Sequence, residues 1–327
     1  MIAVIGGAGY IGSHTVKYLK KQGKDVVVFD NLSTGHKEFI PSNVPLVKGD
    51  LANKEDLQGL FTQYPLIDTI VHFAAFAYVG ESVEKPAMYY QNNVVNTIHL
   101  LDMMLQYEVK NIVFSSTCAT YGNPIEWPIT ETHPQNPINP YGRTKLMMEQ
   151  IIEDYSHAYG LKFVALRYFN AAGADIECEI GEWHEPESHL IPLVLDVAIG
   201  KRPSISIFGG DFDTLDGTCV RDYIHVTDLA DAHSKAVDYL KGNGGNLKLN
   251  LGNGLGYSVL EIIQMIVKVT ECSIPTVITK RRSGDPAKLI GSAVKARELL
   301  GWQPQFDLEK IIETAWQWHM KQFGGTK

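Results

Sequence analysis

A tyrosine and a lysine four residues apart, Tyr141 and Lys145 in the segment YGRTK, are the pair in this sequence best suited to proton transfer. Residues i and i+4 of a helix lie on one face, so both side chains would leave the helix together. Lowering a tyrosine pKa from about 10 by about 3 units requires about 4 kcal/mol of phenolate stabilisation. A cation about 4 Å away, at an effective dielectric constant of about 20, supplies an interaction of that order. We therefore predict that Lys145 activates Tyr141 as a general base; the alternative is an exposed pair on a solvated helix.

Hydroxyl groups precede this pair in the segment FSST, which ends a β-branched run beginning at residue 111. Ser115 and Thr117 would lie at the C-terminal end of a strand, where open α/β sheets bind ligands. The loop 121–140 contains five prolines and cannot be regular structure. Asn139 and Pro140 then have the residue types of an N-cap and a first helical residue, so they predict the start of the helix that carries Tyr141.

A glycine cluster near the N-terminus could hold phosphate groups. Gly6, Gly9 and Gly12 separate a short apolar strand from a helical pattern over 10–21, although a second spacing beginning at Gly7 also fits. Such a loop brings backbone N–H groups and a helix N-terminus to a pyrophosphate. A second strand ends in Asp30, 18 residues after Gly12, where a carboxylate accepts from ribose hydroxyls and repels a 2′-phosphate. The pattern predicts NAD rather than NADP; the alternative is a glycine turn of another α/β protein.

Strands and helices alternate around these residues. Further strands are predicted over 44–47, 69–73 and 111–114, with helices over 53–63 and 86–107. This order predicts an α/β fold, a doubly wound parallel sheet (Rossmann) covered by helices on both faces. We expect a NAD-binding domain over 1–170 and a smaller mixed α/β substrate domain over 171–327, with segments that interleave.

Composition excludes several classes of function. The chain has 327 residues, 45% hydrophobic residues and a formal charge of −8 without a basic block, so no nucleic-acid surface is expected. Its four cysteines are far apart in sequence, which argues against a disulfide framework and a zinc site, and no metal is predicted. No secretory signal and no long apolar run occurs, so we expect a cytoplasmic protein without a membrane partner.

A series of motifs resembles the extended short-chain dehydrogenase/reductase family over nearly the whole chain. They are GGAGYIGSH, DNLSTG, GDL, HFAA with VGES, NNV, FSST with ATYG, YGRTK, LRYFN, DGTCVRDYIHVTDLA, NLGNG and RRSGDPA. The similarity is greatest to members that epimerise nucleotide sugars. It implies an NAD-dependent isomerase that interconverts UDP-galactose and UDP-glucose by oxidation at C4, rotation of the 4-keto sugar and return of the hydride. It also implies a tightly bound NAD and a homodimer built on the long helices.

The resemblance assigns roles to individual residues. Asp30 would bind the adenosine ribose, Lys145 the nicotinamide ribose, and Thr117 the sugar beside the base Tyr141. Asp50 with Leu51 would contact adenine, although a plain turn at the strand end explains them equally well. The complete set expected at the cofactor is Gly6, Gly9, Tyr10, Ile11, Gly12, Asp30, Asn31, Asp50, Leu51, Phe73, Ala74, Ala75, Asn92, Ser115, Tyr141, Lys145 and Tyr168.

The substrate would lie against the C-terminal part of the chain. Arg221 and Arg282 suit a diphosphate because a guanidinium forms two parallel hydrogen bonds to a phosphate edge, the alternative being exposed ion pairs. His189 would contact the diphosphate or sugar, or would only cap a helix over 189–198. The complete set is Thr117, Tyr141, Asn170, His189, Leu190, Ile207, Phe208, Arg221, Tyr223, Arg282 and Asp285.

Two related activities remain as alternatives. A nucleotide-sugar 4,6-dehydratase needs an extra acid and base for elimination, typically an Asp-Glu pair, whereas Thr117 is followed by Cys118 and Ala119. An epimerase of UDP-N-acetylhexosamines depends on the size of the sugar pocket, for which the resemblance points to Leu289. A binding protein that had lost its chemistry would be expected to lack Tyr141 or Lys145.

Overall fold

The computed structural model describes residues 1–282 and 285–324. The strands are β1 (Ile2–Ile5), β2 (Val26–Asp30), β3 (Leu46–Lys48), β4 (Thr69–His72), β5 (Asn111–Thr117), β6 (Lys162–Tyr168), β7 (Asn170–Ala172), β8 (Ile205–Phe208), β9 (Val220–Arg221), β10 (Tyr223–His225), β11 (Leu247–Leu251), β12 (Tyr257–Ser258), β13 (Thr276–Thr279) and β14 (Lys288–Leu289). The helices are α1 (Tyr10–Lys21), α2 (Lys54–Gln63), α3 (Val79–Glu84), α4 (Pro86–Tyr89), α5 (Asn96–Gln106), α6 (Pro140–Tyr159), α7 (Leu190–Ala198), α8 (Val226–Lys241), α9 (Val259–Thr270), α10 (Val294–Leu300) and α11 (Leu308–Phe323).

Seven parallel strands form the central sheet in the order β11-β6-β5-β4-β1-β2-β3. The order reverses between β1 and β4, and in such sheets ligands bind at the carboxyl edge beside this reversal. The predicted fold class is confirmed, since a parallel sheet is covered by helices on both faces.

Alternate residues of the strands build two separate cores. Ile2 and Val4 of β1 face the core under α1 and α8. Ala3 and Ile5 face the core under α2, α5 and α6. Because successive side chains of a strand point to opposite faces, continuous apolar strands are needed to fill both cores.

The C-terminal part has a core of its own, formed by α7, α9, α11 and β8. It carries small sheets that pair β10 with β7, β13 with β8, and β9 with both β12 and β14. However, β11 and α8 return to the central sheet and its first core. A single cut after residue 170 therefore does not separate the two portions, and the boundary stays a prediction.

The long helix predicted over 86–107 is interrupted. After α4 the chain forms a π-helical segment, Tyr90–Val95, before α5 begins. Within it the buried Asn93 side chain accepts from the Phe76 N–H and donates to the Phe76 carbonyl and the Thr144 hydroxyl. These tertiary hydrogen bonds accompany the local widening of the helix. Within the described ranges, no helix is long and apolar enough to cross a membrane.

Candidate active site at the carboxyl edge of the sheet

The glycine loop joins β1 to α1 with very little space between the two elements. A Cβ placed on Gly12 would lie 2.3 Å from the Gly6 carbonyl oxygen, so this contact requires glycine. A Cβ on Gly9 would meet only that oxygen, at 3.5 Å, and the loop is therefore open on this side. Within the described residues, α1 has no side-chain cap, which leaves first-turn N–H groups for an anion. The loop thus fits a pyrophosphate.

Asp30 ends β2 beside this loop. Its carboxylate accepts from the Ala8 N–H at 2.9 Å and from the Leu32 N–H at 2.8 Å. Burial raises the pKa of Asp30, and the two N–H donors oppose that shift. Asn31 donates to Asp50 at 2.9 Å, which joins the ends of β2 and β3. These expected ribose and adenine residues therefore lie together.

Other residues of the expected cofactor set occupy the same edge. Phe73, Ala74 and Ala75 follow β4, and Asn92 lies in the π-helical segment and donates to Asn93. The Tyr10 hydroxyl is not available to a ligand, because Tyr10 is buried and donates to the Gly173 carbonyl at 2.6 Å. The Leu51 side chain is buried in the core with α2 and α5, and the Ile11 side chain packs against the other core of the sheet.

Tyr141 lies in the first turn of α6, which starts as predicted. The Asn139 side chain accepts from the Gly142 N–H, and Pro140 is the first helical residue. A Cβ on Gly142 would lie 2.5 Å from the Ala119 carbonyl, so glycine lets α6 approach the turn that follows β5. This approach brings Tyr141 into side-chain contact with Thr117.

The surroundings of Tyr141 and Lys145 shift the pKa values of both side chains. Burial raises the pKa of Tyr141, and the contact with Thr117 lowers it only partly. Burial lowers the pKa of Lys145 to about 7, against the effect of Glu149. The Lys145 ammonium donates to the Ser115 carbonyl at 2.8 Å. Burial disfavours the charged form of both groups, and the activation of Tyr141 by Lys145 stays a prediction.

A hydrogen-bonded chain through His233 was missed by sequence reasoning. His233 Nδ1 lies 2.8 Å from the Leu229 carbonyl, which can only accept, so Nδ1 carries the proton. Nε2, 3.0 Å from the Ser115 hydroxyl, then accepts from it. Tyr168 donates to the Ser115 oxygen at 3.1 Å. Burial lowers the pKa of His233 to about 4 and keeps it neutral. A histidine among the apolar positions of α8 was the available signal.

A buried ion pair fixes α6 against the sheet. Arg167 of β6 donates to both carboxylate oxygens of Glu149 in α6, at 2.9 and 2.6 Å. It also donates to the Tyr121 hydroxyl at 2.9 Å, and Ser116 donates to Glu149. The pair therefore sets the position of the helix that carries Tyr141 and Lys145.

The expected diphosphate residues approach the site from the C-terminal part. Arg221 lies 3.5 Å from Asp285 and donates to the Val220 and Pro286 carbonyls. Its charge also acts on the buried Cys118 thiol, which follows Thr117. Part of the donor capacity of Arg221 is thus used within the protein.

Arg282 stacks on Phe208, with its guanidinium 3.9 Å from the ring centre. This cation–π contact holds Arg282 and Phe208, both expected at the substrate, side by side at the end of β8. Ser283 and Gly284 of the RRSGDPA motif lie outside the described residues.

Three of the expected substrate residues are in different surroundings from those predicted. The Ile207 side chain is buried in the C-terminal core, and its expected role at the substrate stays a prediction. Tyr223 is also buried, in β10 beside Asn170 of β7. His189 is the N-cap residue of α7, which begins at Leu190, but its ring makes no capping hydrogen bond within the described structure. The side-chain capping alternative for His189 is therefore wrong, because its Nδ1 instead faces Glu182 and Glu187.

A family model described as "NAD dependent epimerase/dehydratase family" matches residues 2–252. Among curated proteins, the UDP-glucose 4-epimerase of Halalkalibacterium halodurans is 54% identical over 319 residues, covering 97% of this chain and 95% of that protein. These matches confirm the resemblance inferred from the motifs.

Solved structures agree over the full fold. The UDP-glucose 4-epimerase from Brucella ovis in complex with NAD has a TM-score of 0.93 and 52% identity, covering 96% of this chain and 97% of that one. The UDP-glucose 4-epimerase from Bifidobacterium longum in complex with NAD+ and UDP has a TM-score of 0.94 and 38% identity, covering 99% of each chain.

Proposed function

Since the chain belongs to the NAD dependent epimerase/dehydratase family, we propose that it interconverts UDP-galactose and UDP-glucose, a reaction of galactose metabolism. The observation that carries the proposal is the placement of Tyr141 and Lys145 in α6 beside the end of β5, where the Lys145 ammonium donates to the Ser115 carbonyl at 2.8 Å. It lies at the same sheet edge as the glycine loop and Asp30. Relatives at about half identity act on this substrate pair by name.

Tyr141, Thr117 and Lys145 each have a separate role in the proposed reaction. Tyr141 takes the proton of the sugar 4-hydroxyl, and Thr117 holds that hydroxyl by a hydrogen bond. Lys145 binds the nicotinamide ribose. A dinucleotide held by the glycine loop, Asp30 and Lys145 would supply reversible hydride transfer at C4 of the sugar.

Epimerisation requires the sugar to turn while the nucleotide stays in place. Arg221 and Arg282 hold the diphosphate, so the 4-keto hexose can present its other face and receive the hydrogen at C4 from the opposite side. Tyr141 then returns its proton to the oxygen. Arg221 lies on β9 and Arg282 follows β13, so the proposed diphosphate residues belong to other elements than Tyr141 of α6.

Elimination of water is disfavoured at this site. A 4,6-dehydratase needs a further acid and base next to the sugar. Ala119 has no titratable group, and burial raises the pKa of Cys118 to about 12. The 4-keto sugar therefore has no partner for loss of its 6-hydroxyl in this turn.

We also propose a homodimer and a cytoplasmic location. Helices α5 and α6 cover one face of the sheet side by side, and Met147 of α6 is 40% exposed. An antiparallel pairing of these helices with a second copy would cover Met147, and light scattering should then give twice the chain mass.

The four cysteines are unpaired in the described structure, which supports a reducing compartment such as the cytoplasm.

Purified protein supplied with UDP-galactose and no added NAD tests the reaction. We expect UDP-glucose to form, without accumulation of NADH or a 4-keto-6-deoxy sugar. Denaturation of the same sample should release NAD. Release of NADP, or formation of a deoxy sugar, would contradict the proposal.

A further inference from the structure

Four potential metal ligands meet in the loop that precedes α7. They are Glu182, His184, Glu187 and His189, and one ligand atom from each lies within 4.8 Å of all the others. His189 Nδ1 is 3.0 Å from Glu182 and 2.9 Å from Glu187. His184 Nδ1 is 3.6 Å from Glu182 and 3.3 Å from Glu187. Two imidazole nitrogens and two carboxylates therefore converge on one point.

The loop holds these groups in place. Glu187 accepts from the Ser188 and His189 N–H groups at 2.7 and 2.8 Å, which fixes its carboxylate. The two histidine rings are 5.0 Å apart. Glu182, His184 and Glu187, but not His189, also line a neighbouring cavity of ≈ 60 Å³ that includes Lys201, and this cavity has room for a water molecule beside the cluster.

The charges are unbalanced without a cation. Glu182 and Glu187 bring two negative charges to one half-enclosed point, and a single proton on His189 would offset only one of them. A divalent ion would offset both. Two nitrogen and two carboxylate ligands suit zinc or a neighbouring first-row transition metal, whereas calcium and magnesium prefer oxygen ligands.

We propose that Glu182, His184, Glu187 and His189 bind one divalent transition-metal ion, with Zn²⁺ as the reference ion. Metal binding can be tested without the proposed reaction, but it shares His189 with the expected substrate set. It lies beside the cofactor loop, because the His184 ring packs edge-on against Tyr10 at 6.2 Å. An ion there would fix the segment that leads into Leu190.

A neighbouring acidic cluster supplies a matched comparison. Asp175, Glu177 and Glu179 also converge, but the Lys17 ammonium lies 2.6, 2.8 and 2.7 Å from them. Their charge is already partly balanced by a protein cation, and no histidine belongs to the group. This cluster is not expected to bind zinc.

The test is calorimetric titration of Zn²⁺ into tag-free, chelator-treated full-length protein. We expect one ion per chain. His184→Gln and Glu182→Gln should each weaken Zn²⁺ binding by more than about 10-fold. Loss of a residue that only supports a metal ligand already weakens binding by about that factor. Glu177→Gln, in the acidic cluster, should leave the affinity unchanged. Absence of stoichiometric binding, or unchanged affinity in both ligand variants, would overturn the proposal.

Co²⁺ substitution in the wild type gives a second readout that needs no variant. Nitrogen and oxygen ligation should give d–d absorption without a thiolate charge-transfer band. A thiolate band would assign the ion to cysteines and would reject this site. The cobalt spectrum therefore tests whether the ligands are nitrogen and oxygen atoms, even where a ligand variant fails to fold.

Discussion

In the proposed reaction the Tyr141 hydroxyl removes the proton of the sugar hydroxyl, so its loss should slow turnover without emptying the cofactor site. Tyr141→Phe should reduce kcat by about 10²–10⁴-fold, the usual contribution of a general base. NAD content, measured after denaturation, should change little. Tyr159→Phe is a matched control, because Tyr159 is exposed at the far end of the same helix. Near-normal turnover in Tyr141→Phe would require a different base.

Leu289 tests the size of the sugar pocket. It lies in β14 beside Arg221 of β9 and packs near Cys118 and Phe169. We expect the wild type to prefer UDP-galactose over UDP-N-acetylgalactosamine. Leu289→Cys should raise the relative kcat/KM for the N-acetylated sugar, because the smaller side chain leaves room for the acetamido group. An unchanged ratio would show that this position does not limit sugar size.

Predictions for single residues succeeded where neighbouring residues in the sequence determine the conformation. Asn139 and Pro140 mark the start of α6 by their own conformational preferences, and Gly12 marks a contact that no Cβ permits. His233 and Arg167 could not be found in this way. Their partners are Ser115 and Glu149, which are distant in sequence and meet them only when the sheet has formed.

At the scale of elements, α6 depends on the Glu149–Arg167 pair. Arg167→Met should lower the free energy of unfolding by roughly 3–5 kcal/mol, because Glu149 would remain buried without its partner. Arg167→Met combined with Glu149→Leu should be less destabilised than the single variant. Urea unfolding measures both changes.

An exposed pair on the same helix is the control for this comparison. Lys248 lies 2.9 Å from Glu153 with both side chains partly in solvent. Lys248→Met should change the free energy of unfolding by at most about 1 kcal/mol. A similar loss at both sites would mean that burial does not determine the strength of the Arg167 pair.

The interruption of the helix before α5 shows why element boundaries escape sequence reasoning. The apolar pattern over 86–107 is continuous and predicts one helix. The π-helical segment instead accompanies hydrogen bonds from Asn93 to Phe76 and Thr144, 17 and 51 residues away. Such contacts leave no periodic pattern in the sequence.

At the scale of the whole molecule, four buried histidines determine an acid limit of stability. Burial lowers their pKa values from 6.5, to about 4 for His14 and His233 and to about 3 for His72 and His225. Below pH 6.5 the unfolded chain binds protons that the folded chain does not. The free energy of unfolding should therefore fall as the pH falls from 6.5 towards 4, by up to about 1.4 kcal/mol per pH unit for each histidine.

Two buried carboxylates act in the opposite direction. Burial raises the pKa values of Asp222 and Asp228 from 3.8 to about 6, so between these values the folded chain holds the extra protons. Burial also raises the pKa of Asp30 and lowers that of His319, so five histidines against three carboxylates leave a net fall of stability on acidification.

A single substitution tests the histidine contribution. His225→Asn keeps a side chain able to cap α8, whose Thr227 N–H is bound by His225, but removes the titrating ring. The fall in unfolding free energy between pH 6 and pH 5 should become smaller by about 1.4 kcal/mol. Urea unfolding at these pH values measures it, and an unchanged slope would contradict the assignment.

The place of β11 at the end of the sheet affects how the protein is made. A ribosome releases β6, which ends in the cofactor residue Tyr168, well before it releases Leu247–Leu251, the strand that pairs with β6. At about 5–20 residues per second, this interval lasts on the order of 4–17 s. During that time the nascent chain presents an open strand edge, the kind of surface that recruits other chains. The growing polypeptide therefore needs protection from aggregation until its last central strand has been synthesised.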